Sequence, residues 1–540
     1  MPDDLDAIVP PESDGTKSDS EKSKRKVRAA WISFVSRIVA QVVGAAASVT
    51  LGLVVLQQYQ SNNPPAPSAE ESEPAPVPRA SERRSDGSVA IAVLPLDSFS
   101  PDAGDEYFAD GMTEALIADL AQIDGLRVIS RTSSMRYKAV KKSLPEIARE
   151  LDVDLIVEGS AVRSGDRVRV TAQLIDARAD EHVWARSYEK TLQDVLTLQG
   201  EVASAIAREV KGALTPLQQG RLGTRRAVDP AVYDLYLRGR HAWNLRTLDG
   251  LQQAVRYFDE AARVDNRFAL AQAGIADAYA LLGLPPNSVP ETMGRAREAA
   301  ERALALDDAL AEAHTSLGVV RHRYDLDWAG AERAFQRALE LNPGYITAHQ
   351  WYALLLADQG RDLEAVRHAE QAMKLDPFSW VMHQTLGMVH YKARRYDRAA
   401  DEQRRALDMA PGAGLARIYL ARALLAEGHA RQAAEVCEAA TSPRPADIEA
   451  LLAIAHFKLG QAERARAIIG PLLAQHPPPT GALARWYSAS GNYPAALDTL
   501  ERALRERADV ISSLKVETLF DGLRKDPRFT ALLEQTGAGP

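Results

Sequence analysis

The sequence predicts an α/β sandwich module followed by an all-α superhelix of paired helices, with an N-terminal transmembrane helix. Three observations lead there. Residues 88–215 alternate short β-branched runs with amphipathic stretches. Over residues 231–510, prolines and small residues recur on a fixed period. Ahead of both, residues 38–56 carry no charge and follow a basic cluster.

Composition bounds the alternatives. A chain of 540 residues, 26% charged and 46% hydrophobic, has room for several domains with their own cores. Its formal net charge of −8 is the wrong sign for displacing counterions from a phosphate backbone, so no nucleic-acid partner is expected. The single cysteine, Cys437, excludes an internal disulfide and a cysteine-rich metal site.

Residues 1–28 are polar and end in Lys22, Lys24, Arg25, Lys26 and Arg28, as in a disordered basic-ended tail. The run IVAQVVGAAASVTLGLVVL (38–56) is long enough as a helix to span ~28 Å, near the thickness of a bilayer core. Arg37 would snorkel at its edge. A buried helix of a soluble domain is the alternative, but a tail precedes the run and a Pro/Ser/Glu linker (58–87) follows it. A cleaved signal peptide would need small residues at the cleavage point, where Gln57, Gln58 and Tyr59 stand. Residues 29–57 are therefore expected to be a signal anchor, with the membrane bound through 38–56. The basic side stays cytoplasmic and the bulk of the chain crosses.

In the module (88–215), VAIAVLPL (89–96) is a buried strand, and TEALIADLAQI a helix with Asp110 as its N-cap. LRVIS is a second strand and LPEIARELDV (144–153) a second helix. DLIVEGSAV and RVRVTAQLID form a hairpin across Arg163-Ser164-Gly165-Asp166. HVWARSYE gives a further strand and residues 195–214 a closing helix, for an order β-α-β-α-β-β-β-α. A linker (216–230) leads to the periodic region.

Pro343, Pro377, Pro411 and Pro445 lie 34 residues apart, the period of tetratricopeptide (TPR) repeats. Alanines recur in step at 254, 296, 331, 365, 399, 433, 465 and 496. Small residues there let two antiparallel helices approach to ~8–10 Å. About eight repeats are expected over 231–510, with a C-terminal helical cap and tail at 511–540.

The repeat frame puts Thr315, Val319, His322, Arg323, Gln350, Leu354, Gln384, Met388, Tyr391, Lys392 and Arg422 on the concave face, exposed for a protein or peptide partner. The Lys-plus-Asn pattern with which chaperone-binding TPR domains clamp a terminal carboxylate is absent from this face. His314, His349 and His383 share a repeat position and suggest a metal ladder. Metal ligands must lie within ~3–4 Å of each other, whereas neighbouring repeats are ~10 Å apart, so these read as packing histidines. Cys437 falls at a helix-core position.

Arg131, Arg163, Arg167 and Arg169 are candidates for an anion-binding face of the module; a solvated surface offset by carboxylates is the alternative. Neither G-x-x-x-x-G-K-[ST] nor G-x-G-x-x-G occurs. The carboxylates Asp110, Glu114, Glu158 and Asp176 have no spacing that opposes two of them. No catalytic residue, cofactor or metal is expected.

IAVLPLDSF, DEYFADGMTEALIADLAQIDGLRVISRTSSMRYK, EIARELDVDLIVEGSAVRSGDRVRVTAQLID and HVWARSYEK resemble the TolB amino-terminal-domain-like module of bacterial envelope and signalling proteins. The chain is similar to the segment after a class III adenylate cyclase domain, or a winged-helix DNA-binding domain, in proteobacterial regulators, where a TPR array comes next. The likeness runs on to LRKDPRFTALLEQTG. It implies scaffold rather than activity, because the residues ahead of the module are too few for a cyclase core of about 150 residues. The expectation is a non-catalytic protein of the bacterial inner membrane, single-pass, N-terminus cytoplasmic and bulk periplasmic, acting as an interaction scaffold or sensor arm of the cell envelope. The alternative is a regulatory component passing a signal to a separate effector.

Overall fold

The computed structural model describes residues 88–98, 106–223, 226–284 and 290–537. The chain divides into Met1–Arg79 and Ala80–Pro540, and the described residues belong to the second unit.

Alternation builds the sheet. Strands β1 (Val89–Val93), β2 (Leu126–Val128), β3 (Leu155–Ser164), β4 (Arg167–Asp176) and β5 (Glu181–Thr191) lie in the order β2-β1-β3-β4-β5. β1 runs parallel to β2 and β3, and β3-β4-β5 is an antiparallel meander. In β4, Val168, Val170, Ala172 and Leu174 are buried while Arg167 and Arg169 point to solvent, the period of a half-buried strand. β1 is covered on both faces. Ile91 and Val93 pack with helices α1 (Glu106–Ala121) and α4 (Val195–Lys211). Ala90 and Ala92 pack with Ile147 and Leu151 of α3 (Leu144–Leu151). A capping box between Ser143 and Glu146 starts α3. The short helix α2 (Arg131–Ser134) follows β2, and α5 (Pro216–Leu222) leads out of the module. Asp110 is not an N-cap: it sits inside α1, buried, and accepts from Lys138 Nζ at 2.8 Å.

Sixteen helices follow as eight antiparallel pairs among the described residues. The first four pairs are α6 (Pro230–Asn244) with α7 (Leu248–Val264), α8 (Ala269–Leu282) with α9 (Pro290–Leu306), α10 (Ala311–Val320) with α11 (Trp328–Leu341), and α12 (Ile346–Asp358) with α13 (Asp362–Leu375). The last four are α14 (Trp380–Lys392) with α15 (Tyr396–Met409), α16 (Gly414–Ala426) with α17 (Ala430–Glu438), α18 (Ala446–Lys458) with α19 (Ala462–Leu473), and α20 (Thr480–Ala489) with α21 (Tyr493–Arg505). All eight periodic alanines are completely buried. Gly318 shows why the paired position stays small: a Cβ there would stand 2.6 Å from the Phe335 ring.

The repeat-position histidines hold loops. His314 Nε2 meets the Asp308 carbonyl and His349 Nε2 the Pro343 carbonyl, both at 3.0 Å and six residues back. His383 instead meets Glu402 at 2.6 Å. Cys437 is buried, and its thiol is pushed up to about 12 by that burial.

No helix among the described residues is long and apolar enough to cross a membrane. The longest, α4, α7 and α9, have 17 residues and carry Glu and Arg, where a span needs about 20 apolar residues. This overturns the expected placement as a single-pass inner-membrane protein with a cytoplasmic N-terminus and a periplasmic bulk. Segments 1–28, 38–56 and 58–87 lie outside the described residues.

Replacing completely buried Ala399 by Leu forces methylenes into a helix contact with no space for them. Urea unfolding should show a loss of about 1–3 kcal/mol; a variant as stable as the parent would refute the close packing.

Candidate protein-binding groove

The first helix of each pair lies next to the first helix of the following pair from α10 to α20, so these helices form the inner wall of the superhelix. After α21 the chain turns into that wall as two 3₁₀ turns, Asp509–Ser513 and Thr518–Leu523, before a last helix, α22 (Pro527–Gln535). The turns touch the π-helical end of α10 (Arg321–Asp325) and helix α20. Leu514, Phe520, Leu523 and Phe529 are completely buried against α21 and its neighbours.

Two charged networks line the wall. Asp358, at the end of α12, is fully buried and accepts from Lys392 Nζ at 2.5 Å and His322 Nε2 at 3.1 Å. Burial alone would raise its carboxyl, but Lys392, the His322 hydrogen bond and Arg323 hold it down at about 2. His322 is driven the other way: burial pushes it down to about 4, against the bond to Asp358. Neutral imidazole and ionised carboxylate therefore coexist at neutral pH.

The second network centres on Glu517, between the two 3₁₀ turns. Tyr391 Oη donates to it at 2.6 Å, and Arg422 and Arg485 stand 3.3 Å away. Their charges and the tyrosine bond outweigh burial and hold this carboxyl down at about 2. Arg485 also bonds Asp447 at 2.7 Å. Toward the rim, Arg323 meets Asp509 at 3.3 Å and Ser512 at 2.8 Å, and Arg394 meets Asp521 through two nitrogens at 2.7 Å. Trp328 Nε1 donates to the Thr536 carbonyl at 2.6 Å.

The inner-face residues are thus brought together, but not as exposed groups. Thr315, Val319, His322, Gln350, Leu354, Gln384, Met388, Tyr391, Lys392 and Arg422 are buried, and the Arg323 side chain is 8% exposed. Val319, Leu354 and Met388 belong to the continuous core. Thr315 bonds back to the Ala311 carbonyl, and the Gln384 carbonyl accepts from Gln403. Two things account for this: the repeat core itself takes in Val319, Leu354 and Met388, and residues 509–523 lie against Arg323, Tyr391 and Arg422. Arg394, Arg485, Asp509, Glu517 and Asp521 escaped the sequence reading. Their signal is a set of lone carboxylates in the apolar stretch DVISSLKVETLFDGL.

The four cations proposed for an anion-binding face are each paired. Arg131 lies 3.3 Å from Glu114, Arg163 3.7 Å from Asp234, and Arg167 and Arg169 share Glu189 at 2.5 and 2.8 Å. They do not converge on one site.

The module is joined to the repeats by bonds to two successive loops. Gly344 N donates to the Ala121 carbonyl at 3.1 Å, and Ser130 N to the Leu375 carbonyl at 2.8 Å. Asp376, its carboxyl raised by burial against the bonds from Ser130 and Ser133, accepts from Ser133 Oγ at 2.7 Å. On the other side, Glu114 of α1 takes Arg240 of α6 at 2.6 Å. At the same contact a Cβ on Gly111 would stand 2.6 Å from Leu237.

The comparisons agree with this division. Residues 87–205 match the second domain of HilA/YgeH-like transcriptional regulators. Tetratricopeptide-repeat models match 321–379, 385–448 and 424–480. A Rhizobium meliloti (strain 1021) protein named "Putative adenylate cyclase 3" is 36% identical over 217 residues, 39% of this chain and 37% of that protein. The transcriptional regulator HilA of Salmonella typhimurium is 23% identical over 294 residues, 53% of this chain and 51% of that protein. The chain thus spans about half or less of the length of these curated relatives. Among solved structures, a thermophilic TPR protein of Thermus thermophilus matches 36% of this chain and 100% of its own, at 21% identity and a TM-score of 0.30. The chain therefore joins a HilA-like second domain to an array of TPR repeats; the likeness of the module to TolB stays a resemblance.

His322 gives a measurable pH signature. Its folded pKa lies below the unfolded value of ~6.5, so as pH falls from about 6.5 to 4 the unfolded chain takes up a proton that the folded one refuses. Its contribution to stability is full above that window and is lost on the order of 3 kcal/mol across it. Asp277, raised to about 6 chiefly by burial, slopes the other way, so the test compares parent with His322→Gln, which share Asp277. The stability difference between them should change across pH 6.5–4. A constant difference would show that His322 titrates normally.

Proposed function

We propose that this chain is a non-catalytic interaction scaffold whose TPR array binds a protein or peptide partner. The observation that carries the reading is the inner wall: cationic side chains from several repeats converge on carboxylates, with Glu517 buried and Asp509 partly exposed. That is how a helical-repeat groove selects a segment, with charge pairs fixing its register and apolar side chains supplying contact area. The repeats are typically non-catalytic. The adenylate cyclase name of one relative belongs to a protein of which this chain matches 37%.

A second reading is a regulatory component that passes a signal to a separate effector. It is favoured by the two relatives, a transcriptional regulator and a cyclase by name. It is also favoured by the hydrogen-bonded seam between module and repeats at Ser130, Ser133 and Asp376.

Two measurements separate these readings from catalysis. The purified chain should neither form cyclic nucleotides nor hydrolyse nucleotides; turnover above ~0.1 s⁻¹ that survives repurification, still below the usual enzyme range, would refute the first part. Crosslinking in cells followed by affinity purification should recover a stoichiometric partner, crosslinked to the repeats. Recovery of the chain alone would count against a scaffold.

A further inference from the structure

We infer that residues 509–523 act as an intrachain ligand of the repeat groove, and that its external partner is a carboxylate-bearing protein segment that takes their place. This rests on the scaffold reading and adds to it the chemistry of the partner and the identity of its competitor.

The segment buries Leu514, Phe520 and Leu523 against α21 and its neighbours, and its match to the wall is otherwise electrostatic and distributed. Asp509 meets Arg323, Glu517 meets Arg422 and Arg485, and Asp521 meets Arg394. These four guanidiniums come from four different repeats, so the carboxylates read positions along the wall rather than one pocket. Without the segment, the carboxylates that the four guanidiniums and Lys392 face among the described residues are Asp358 and Asp447. A wall with that excess of positive charge favours an acidic occupant and repels a basic one.

The attachment is also of a transferable kind. The segment's backbone closes on itself in 3₁₀ turns, with Glu517 N donating to the Ser513 carbonyl. It reaches the wall through side chains, plus the Ser488 hydroxyl on the Leu519 carbonyl at 2.6 Å. No strand pairing or helix packing is required of an occupant. A segment with carboxylates eight and then four residues apart, and apolar residues between them, satisfies the same cations. The tether at 506–508, where Arg507 adopts a left-handed φ of 53°, keeps the internal copy at high effective concentration. An external partner therefore binds more weakly to the intact chain than to one whose internal segment has been freed.

The experiment uses the full chain with a protease site built into 506–508. After cleavage, a fluorescent peptide of residues 506–537 is added. Exchange is expected, with the labelled peptide entering the groove, and a peptide carrying Glu517→Gln and Asp521→Asn should bind at least tenfold more weakly. If the cleaved chain unfolds, or keeps its own segment without exchange for a day, residues 509–523 are a fixed part of the core and the inference is overturned. Equal binding of both peptides would overturn it as well. In the uncut chain, Asp521→Arg sets a third guanidinium beside Arg394 and Arg524 and should increase peptide uptake several-fold, while Arg394→Asp added to it should restore the parent level. Failure of exchange while a crosslinked partner is still recovered would leave the scaffold reading standing and remove only this one. Exchange with no partner recovered would do the opposite.

Discussion

Burying a guanidinium or an ammonium group costs several kcal/mol unless a carboxylate is set against it with good geometry. The inner side of this superhelix buries Lys392, Arg422 and Arg485, with Arg323 nearly so. Asp358 answers Lys392 from within the repeats. Arg422 and Arg485 have Asp447, which is half-exposed, and otherwise depend on Glu517 from beyond the last repeat. The later repeats consequently cannot bury their inner face on their own account. Their charge balance is completed by a segment more than 120 residues along the chain from Tyr391.

That dependence changes how substitutions on this face behave. Exposed groups on a groove can usually be truncated for about 0.5 kcal/mol each. Here, removing Arg422 or Lys392 takes one of several partners from a buried carboxylate, a loss that approaches that of a broken buried pair, about 3–5 kcal/mol, only where the remaining partners cannot compensate. Effects within one network should also fail to add, because Tyr391, Arg422 and Arg485 all act on the same carboxylate. Arg394 and Asp521, half-exposed at the rim, are the pair through which the groove can be altered without that penalty.

Much of the architecture was legible because its determinants are local or periodic. A 34-residue interval in proline and alanine reports helix pairing directly, and every predicted alanine is buried. Period-two alternation in RVRVTAQLID placed its faces correctly. The repeat frame also assigns Arg323, Tyr391 and Arg422 to one face. What did not follow was its burial, since the frame describes repeats and is silent on what fills them. Asp110 failed for a related reason. Its Asp-Gly step looks like a helix start, but the helix begins at Glu106 among the described residues, and the glycine serves a close contact with Leu237. The four module arginines were legible as charges and illegible as a site, because their carboxylate partners come from β5 and α6 as well as α1.

The seam and the groove share elements, which bears on how a signal could cross the molecule. The loop holding Asp376 feeds directly into α14, and α14 carries Tyr391 and Lys392 at its other end. One helix of 13 residues, about 20 Å long, therefore connects the module's serines at one end with Glu517 at the other. A shift of α14 along its axis would strain the Ser133–Asp376 bond and the Tyr391–Glu517 bond together, since both are hydrogen bonds of less than 3 Å to buried carboxylates. Coupling between distant sites is carried by packed side chains, hydrogen-bond networks and rigid elements, and α14 is an element of the last kind. The close packing of Ala399 and Gln403 behind α14 supplies the rigidity.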